Sequence, residues 1–162
     1  MKKKILTAEQ ARALGDEMRE NGRNLVFTNG CFDLLHVGHV RYLQAARALG
    51  DALLVAINGD ESVRALKGQG RPLNQAEDRA ELVAALESVD HVVIFPEVRA
   101  TQLLAIVRPA IYVKGGDYTE DSLHAEERAA LDQIGAEIRI LPFEAGHSTS
   151  GLLEKIKQHD GA

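Results

Sequence analysis

The chain has one cysteine, four prolines, no tryptophan, and only three tyrosines and four phenylalanines among its 162 residues. A lone Cys31 excludes an internal disulfide and a multi-thiolate zinc site, so the fold must hold by packing, and a reducing cytoplasm is the expected compartment. An excess of positive charge is also missing. With 19 basic and 24 acidic residues the net charge is −5, which with so few aromatics argues against a nucleic-acid surface of basic stripes and stacking rings. Any anionic ligand must be met by a local cluster of positive groups. The longest apolar runs, Ala52 to Ile57 and His91 to Phe95, are strand-sized and far short of the ~20 residues of a bilayer span, so no membrane association is expected. Basic residues at 2–4 are followed by Thr7, Glu9 and Gln10 instead of an apolar stretch, so no secretory leader is expected.

What is present is an ordinary globular balance, 45% hydrophobic and 27% charged, in a length that fits a single domain over residues 1–162. Thr7-Ala8-Glu9-Gln10 has capping-box spacing and opens a first helix within residues 1–23. Short apolar runs then alternate with helical patterns. Strands are expected at Asn24 to Thr28, Ala52 to Ile57, His91 to Phe95, Ala110 to Lys114 and Glu137 to Leu141. Helices are expected from Gly38, from Glu61, from a cap at Asn74, and over Arg99 to Val107, Ala125 to Ile134 and Gly151 to Lys157. Strands that are apolar throughout and separated by helices indicate a parallel sheet covered on both faces. The expected fold class is therefore α/β: one doubly wound, Rossmann-like domain with a parallel five-stranded sheet. Ligands of such sheets sit at the carboxyl ends of the strands.

The loop after the first long strand reads Thr28-Asn29-Gly30-Cys31-Phe32-Asp33-Leu34-Leu35-His36-Val37-Gly38-His39. Gly30 lets a ligand approach backbone N–H groups, and Gly38 turns the chain into a helix without a blocking side chain. His36 and His39, three apart at a helix start, fall on one face. Two convergent donors at a positive helix end suit a phosphate chain. Plainer readings stand beside this one. The histidines could form half of a zinc site, although no third ligand has motif spacing. Cys31 could be a nucleophile with His36 as base, or a small buried hydrophobe. Lys67 to Arg71 is neither a Walker A loop nor G-x-G-x-x-G. Lys114-Gly115-Gly116-Asp117 could be a simple turn, Asp33 a cap, and Arg79 a solvated charge.

Thr-Asn-Gly-Cys-Phe-Asp followed by His-Val-Gly-His resembles the HxGH nucleotidyltransferase superfamily, which includes glycerol-3-phosphate cytidylyltransferase. Leu66-Lys67-Gly68, Arg71-Pro72, Glu77-Asp78-Arg79, Ala85 to Asp90, Val113 to Tyr118 and Ser148-Thr149 resemble the heptose 1-phosphate adenylyltransferase branch, over a core of residues 24–157. The resemblance implies that a sugar 1-phosphate attacks the α-phosphorus of a nucleoside triphosphate and releases pyrophosphate. It implies His36, His39, Lys67 and Arg71 as the catalytic group. Nucleotide binding would fall to Thr28, Asn29, Gly30, Phe32, His36, Gly38, His39, Lys114, Gly115, Gly116, Asp117, Ser148, Thr149 and Ser150. Sugar phosphate binding would fall to Asp33, Asn58, Asp60, Lys67, Arg71 and Arg79.

ATP with Mg2+, a heptose 1-phosphate acceptor, a homodimer, and a separate heptose kinase and phosphatase are implied in the same way. Transfer to glycerol 3-phosphate, phosphoethanolamine or FMN, synthesis of GDP-heptose, and a nucleotide-sensing module without catalysis remain open. This chain departs from the pattern in three places. Glu144-Ala145-Gly146-His147 stands where cytidylyltransferases carry an arginine, implying loss of an arginine contact to the triphosphate. Ser150 replaces a threonine, and Asp121 to Glu127 replaces the usual Gly-containing loop.

Overall fold

The computed structural model describes residues 2–116, 122–142 and 144–161. Ile5–Leu6 (β1) leads into α1 (Ala8–Glu20), whose capping box forms as its sequence dictates: Gln10 N–H donates to Thr7 Oγ1 and Thr7 N–H to Gln10 Oε1, at 3.2 and 2.9 Å. There follow β2 (Leu25–Gly30), α2 (Val37–Arg47), β3 (Ala52–Asn58), α3 (Asp60–Lys67), α4 (Ala76–Ala84), β4 (His91–Phe95), α5 (Thr101–Val107), β5 (Ile111–Gly115), α6 (Ala125–Ile134), β6 (Glu137–Leu141) and α7 (Thr149–Asp160).

The sheet has six strands in the order β1-β4-β3-β2-β5-β6, every neighbouring pair parallel. The expected five becomes six because β1, only two residues long, pairs Ile5 with Val92 and Leu6 with Val93. No alternation or turn marks so short a strand in sequence. Its approach is fixed from outside the sheet, where Lys4 Nζ donates to the Val89 carbonyl at 2.8 Å. The cap of α4 is also one residue later than expected, at Gln75, because the Asn74 amide is committed to the Asp33 carbonyl at 2.8 Å.

β3 shows why these strands read as unbroken apolar runs. Ala52, Leu54 and Ala56 face one core with α1, α5 and α6, while Leu53, Val55 and Ile57 face a second core with α2 and α4. Both faces are covered, so every position is selected to be apolar. Gly15 permits the close seating of α1 on α5: a Cβ there would lie 2.0 Å from the Val107 carbonyl oxygen.

In this order the chain runs outward from β2 through β3 to β4, then returns to place β5 on the other side of β2. The connections diverge between β2 and β5, the kind of switch point at whose carboxyl ends such sheets bind their ligands. Gly30 and Gly115 end these two strands.

Candidate functional site

The β2–α2 loop ends with His36 as the N-cap of α2. The His36 N–H donates to His39 Nδ1 at 3.3 Å, so the proton of a neutral His39 sits on Nε2. The two rings lie 3.9 Å apart, centroid to centroid, and the Phe32 ring lies 5.4 Å from His39. Phe32 is buried and takes a left-handed φ of 49°. Gly38 is needed for this packing, since a Cβ would meet the His36 ring at 2.8 Å and the His147 Cβ at 3.1 Å. Burial, then the neighbouring His36, pushes His39 down to about 4. Burial and then His147 lower His36 as well. Both imidazoles are thus neutral at physiological pH, and each can donate one N–H to a phosphate oxygen.

His147 joins the pair from the far end of the chain, its ring 6.4 Å from His36 and inclined by 21°. Just beyond it, Ser148 caps α7 by accepting from Gly151 N–H at 2.9 Å, and Thr149 Oγ1 donates to the Leu34 carbonyl at 3.2 Å. The Thr149 hydroxyl therefore fastens the start of α7 to the histidine loop, which brings a positive helix end to the site. Ser150 is exposed in the first turn of the helix.

The second positive group is built by Asp33. Its buried carboxylate accepts from Leu73 N–H (2.8 Å), Asn74 N–H (2.9 Å) and Arg71 Nε (2.7 Å). Burial alone would raise this carboxyl, but the Asn74 and Leu73 N–H groups and Arg71 together hold it below the ordinary range. Asp33 therefore positions the Arg71 loop and has little capacity left for a sugar, contrary to its expected role. Lys67 closes α3, is exposed, and precedes Gly68 and Gly70, whose φ values of 93° and 88° require glycine. Burial raises the Cys31 thiol, with Lys67, Arg79 and Arg71 partly offsetting it. A protonated thiol fits the packing role, not the nucleophile.

Two expected substrate contacts, Arg79 and Asn58, turn out to be internal fasteners, and a third, Asp60, pairs with Arg79 while staying partly exposed. Arg79 is fully buried and donates to the carbonyls of Asn74 (2.9 Å), Cys31 (2.7 Å) and Asn58 (2.8 Å) and to Asp60 Oδ1 (2.8 Å). It is neither a solvated charge nor a group open to a ligand, because its donors are spent on three backbone carbonyls and the Asp60 carboxylate. The Asn58 amide is spent on the carbonyls of Glu97 and Val98, at 3.3 and 3.2 Å. Asp60 is the partner of Arg79.

On the β5 side, Thr28 is buried, its Oγ1 2.8 Å from Tyr42 Oη, and both hydroxyls reach the Val113 carbonyl at 3.0 and 3.2 Å. Burial pushes Tyr42 up to about 12, with Thr28 offsetting part of the effect. Thr28 is thus a strand fastener. Asn29 Oδ1 lies 3.0 Å from Tyr112 Oη, which is 3.3 Å from the buried Glu127 carboxylate. Gly115 leaves room for the Tyr42 ring, which a Cβ would meet at 2.9 Å. Gly116, at φ 95°, donates to the Leu141 carbonyl at 3.0 Å, and Lys114 precedes these glycines in β5. Asp117 lies outside the described residues.

His147 and the Tyr42 and Tyr112 fasteners were not among the expected site residues. His147 had a signal, its place immediately before the Ser-Thr pair. The tyrosines had none, because their partners are distant in sequence. Among the described residues no three His, Cys, Asp or Glu side chains stand together as a metal site, and no helix is long and apolar enough to cross a membrane.

The cytidylyltransferase-like family model matches residues 27–154, a span that holds the histidine pair, the Arg71 loop and the start of α7. The chain belongs to the cytidylyltransferase-like family. A family relative from Geobacter sulfurreducens, named bifunctional protein HldE, is 46% identical over 152 residues, covering 94% of this chain and 29% of that protein. The protein of the same name from Pseudomonas fluorescens is 44% identical over 156 residues, covering 96% and 32%. The chain thus spans about a third of the length of these curated relatives.

Among solved structures, the lipopolysaccharide core biosynthesis protein from Thermoplasma volcanium aligns with TM-score 0.63 and 27% identity, covering 76% of this chain and 98% of that one. A pantoate-beta-alanine ligase from Francisella tularensis, at TM-score 0.58 and 15% identity over 91% of this chain and 69% of that one, shares the fold.

Proposed function

We propose that this chain transfers AMP from Mg·ATP to D-glycero-D-manno-heptose 1-phosphate, giving ADP-heptose and pyrophosphate for envelope glycan synthesis. The observation that carries this reading is the closely packed, neutral pair His36 and His39 at the strand ends, under the positive end of α7. The heptose acceptor is supported by the motif resemblance, by relatives named bifunctional protein HldE and by the Thermoplasma volcanium neighbour's role in lipopolysaccharide core biosynthesis.

A non-bridging oxygen of the sugar phosphate forms the new bond to the α-phosphorus. The oxygen bridging α to β leaves with its electron pair on pyrophosphate. A phosphate monoester is already nucleophilic, so the protein's task is to align two anions and meet the charge on the phosphates. His39 Nε2–H and the His36 imidazole donate to the α-phosphate oxygens, and neutral donors do this without changing charge between substrate and product. Arg71, aimed by Asp33, and Lys67 draw the acceptor phosphate against the repulsion of the triphosphate. Magnesium enters as part of the nucleotide, with phosphate oxygens and water as its ligands. A homodimer, a cytoplasmic location, and a heptose kinase and phosphatase acting on neighbouring intermediates belong to this reading.

The test is pyrophosphate release from ATP, GTP and CTP against α- and β-heptose 1-phosphate and glycerol 3-phosphate. ATP with a heptose phosphate should dominate. Silence in every heptose combination while another acceptor reacts would overturn the acceptor assignment.

A further inference from the structure

His147 occupies the stretch where the resemblance led us to expect the loss of a cationic contact. Its ring instead lines up with His36 at 6.4 Å, and its Cβ would touch one on Gly38 at 3.1 Å. No hydrogen bond holds the ring among the described residues. The nearest carboxylate, Glu144, is 3.9 Å from Nε2, and that same Glu144 oxygen is taken by Arg41 of α2. His147 also sits one residue before the Ser148 cap of the twelve-residue α7, where the first N–H groups have no intrahelical partner. A ring left untied beside two packed histidines, at a positive helix end, lacks only an anion.

We propose that His147 is a third phosphate-contacting imidazole, which takes the β- and γ-phosphates of the nucleotide from the α7 side while His36 and His39 face the α-phosphate. This rests on the nucleotidyl-transfer reading and extends it to the leaving group. The substitution of an imidazole for a guanidinium has a chemical consequence. A guanidinium offers an anion a planar fork of donors, whereas an imidazole offers a single directed N–H.

Calorimetric binding of inorganic pyrophosphate, together with steady-state kinetics, tests this in the full chain. His147→Ala should weaken pyrophosphate binding and raise the nucleotide KM roughly 10- to 100-fold, the range for a hydrogen bond to a charged group. The acceptor KM and the melting temperature should not move. His147→Arg should restore pyrophosphate affinity. Unchanged pyrophosphate affinity in His147→Ala, or a folded His147→Arg that fails to restore it, overturns the proposal. Pyrophosphate binding needs no acceptor. A silent heptose panel alongside His147-dependent pyrophosphate binding would therefore remove the acceptor assignment and leave this inference standing.

Discussion

At the scale of single residues, the site depends on imidazoles kept uncharged by their surroundings. His39 folds from an ordinary value of 6.5 to about 4, so between those values the unfolded chain binds a proton that the native chain does not. Stability should therefore fall as pH drops from about 6.5 to about 4, with a slope of up to about 1.4 kcal/mol per pH unit, and then level off. Urea unfolding across that window should show this slope, and His39→Gln should reduce it. His36, lowered by burial and by His147, adds in the same direction. In turnover, His39→Ala should cost about 10² to 10³ in kcat while the melting curve stays cooperative; near wild-type turnover would remove His39 from the chemistry. The spacing of His36 and His39 made them legible as a pair, although His36 is the extended N-cap and the bond from its N–H to His39 Nδ1 is what holds the two rings together. His147 was not legible as their neighbour, because only the return of the chain through β5 and β6 brings it there.

At the scale of elements, loops are held by charges that sequence alone assigned to a ligand. Arg79 joins the loops after β2 and β3, the start of α3 and the approach to α4 through four bonds. Arg79→Met would orphan those acceptors and should lower unfolding stability by about 3 to 5 kcal/mol in urea titration. A stable Arg79→Met with a raised acceptor KM would restore the substrate role. A charged residue in an amphipathic helix is solvated in most cases, so its sequence pattern pointed outward. Burial of a guanidinium becomes intelligible only when three carbonyls converge on it. The Asp33 clamp escaped notice for the same reason, its partners lying forty residues on. Gly38→Ala tests the other kind of constraint. Its Cβ would displace His36 at 2.8 Å, so the variant should fold with little change in melting temperature and lose at least about 10-fold in kcat, as misplaced groups do.

At the scale of the whole molecule, strand–helix alternation was enough to read a parallel, doubly wound sheet, and it placed His91–Phe95 and Glu137–Leu141 at their observed bounds. What alternation lacked was strand order, which depends on crossovers and not on any one segment. That order puts β2 in the middle, hydrogen-bonded to β3 on one side and to β5 on the other. During synthesis, however, β3 emerges soon after β2, whereas β5 follows some eighty residues later. Until then a nascent chain presents Leu25, Val26 and Phe27, all buried in the finished protein, along an open, apolar rim of backbone donors and acceptors. Such a rim recruits strands from other chains. A chain stopped after Pro109 should therefore form aggregates, visible by light scattering, and not a soluble half-domain. The strand order that sets the switch point beside β2 is also the one that leaves the growing chain exposed for longest.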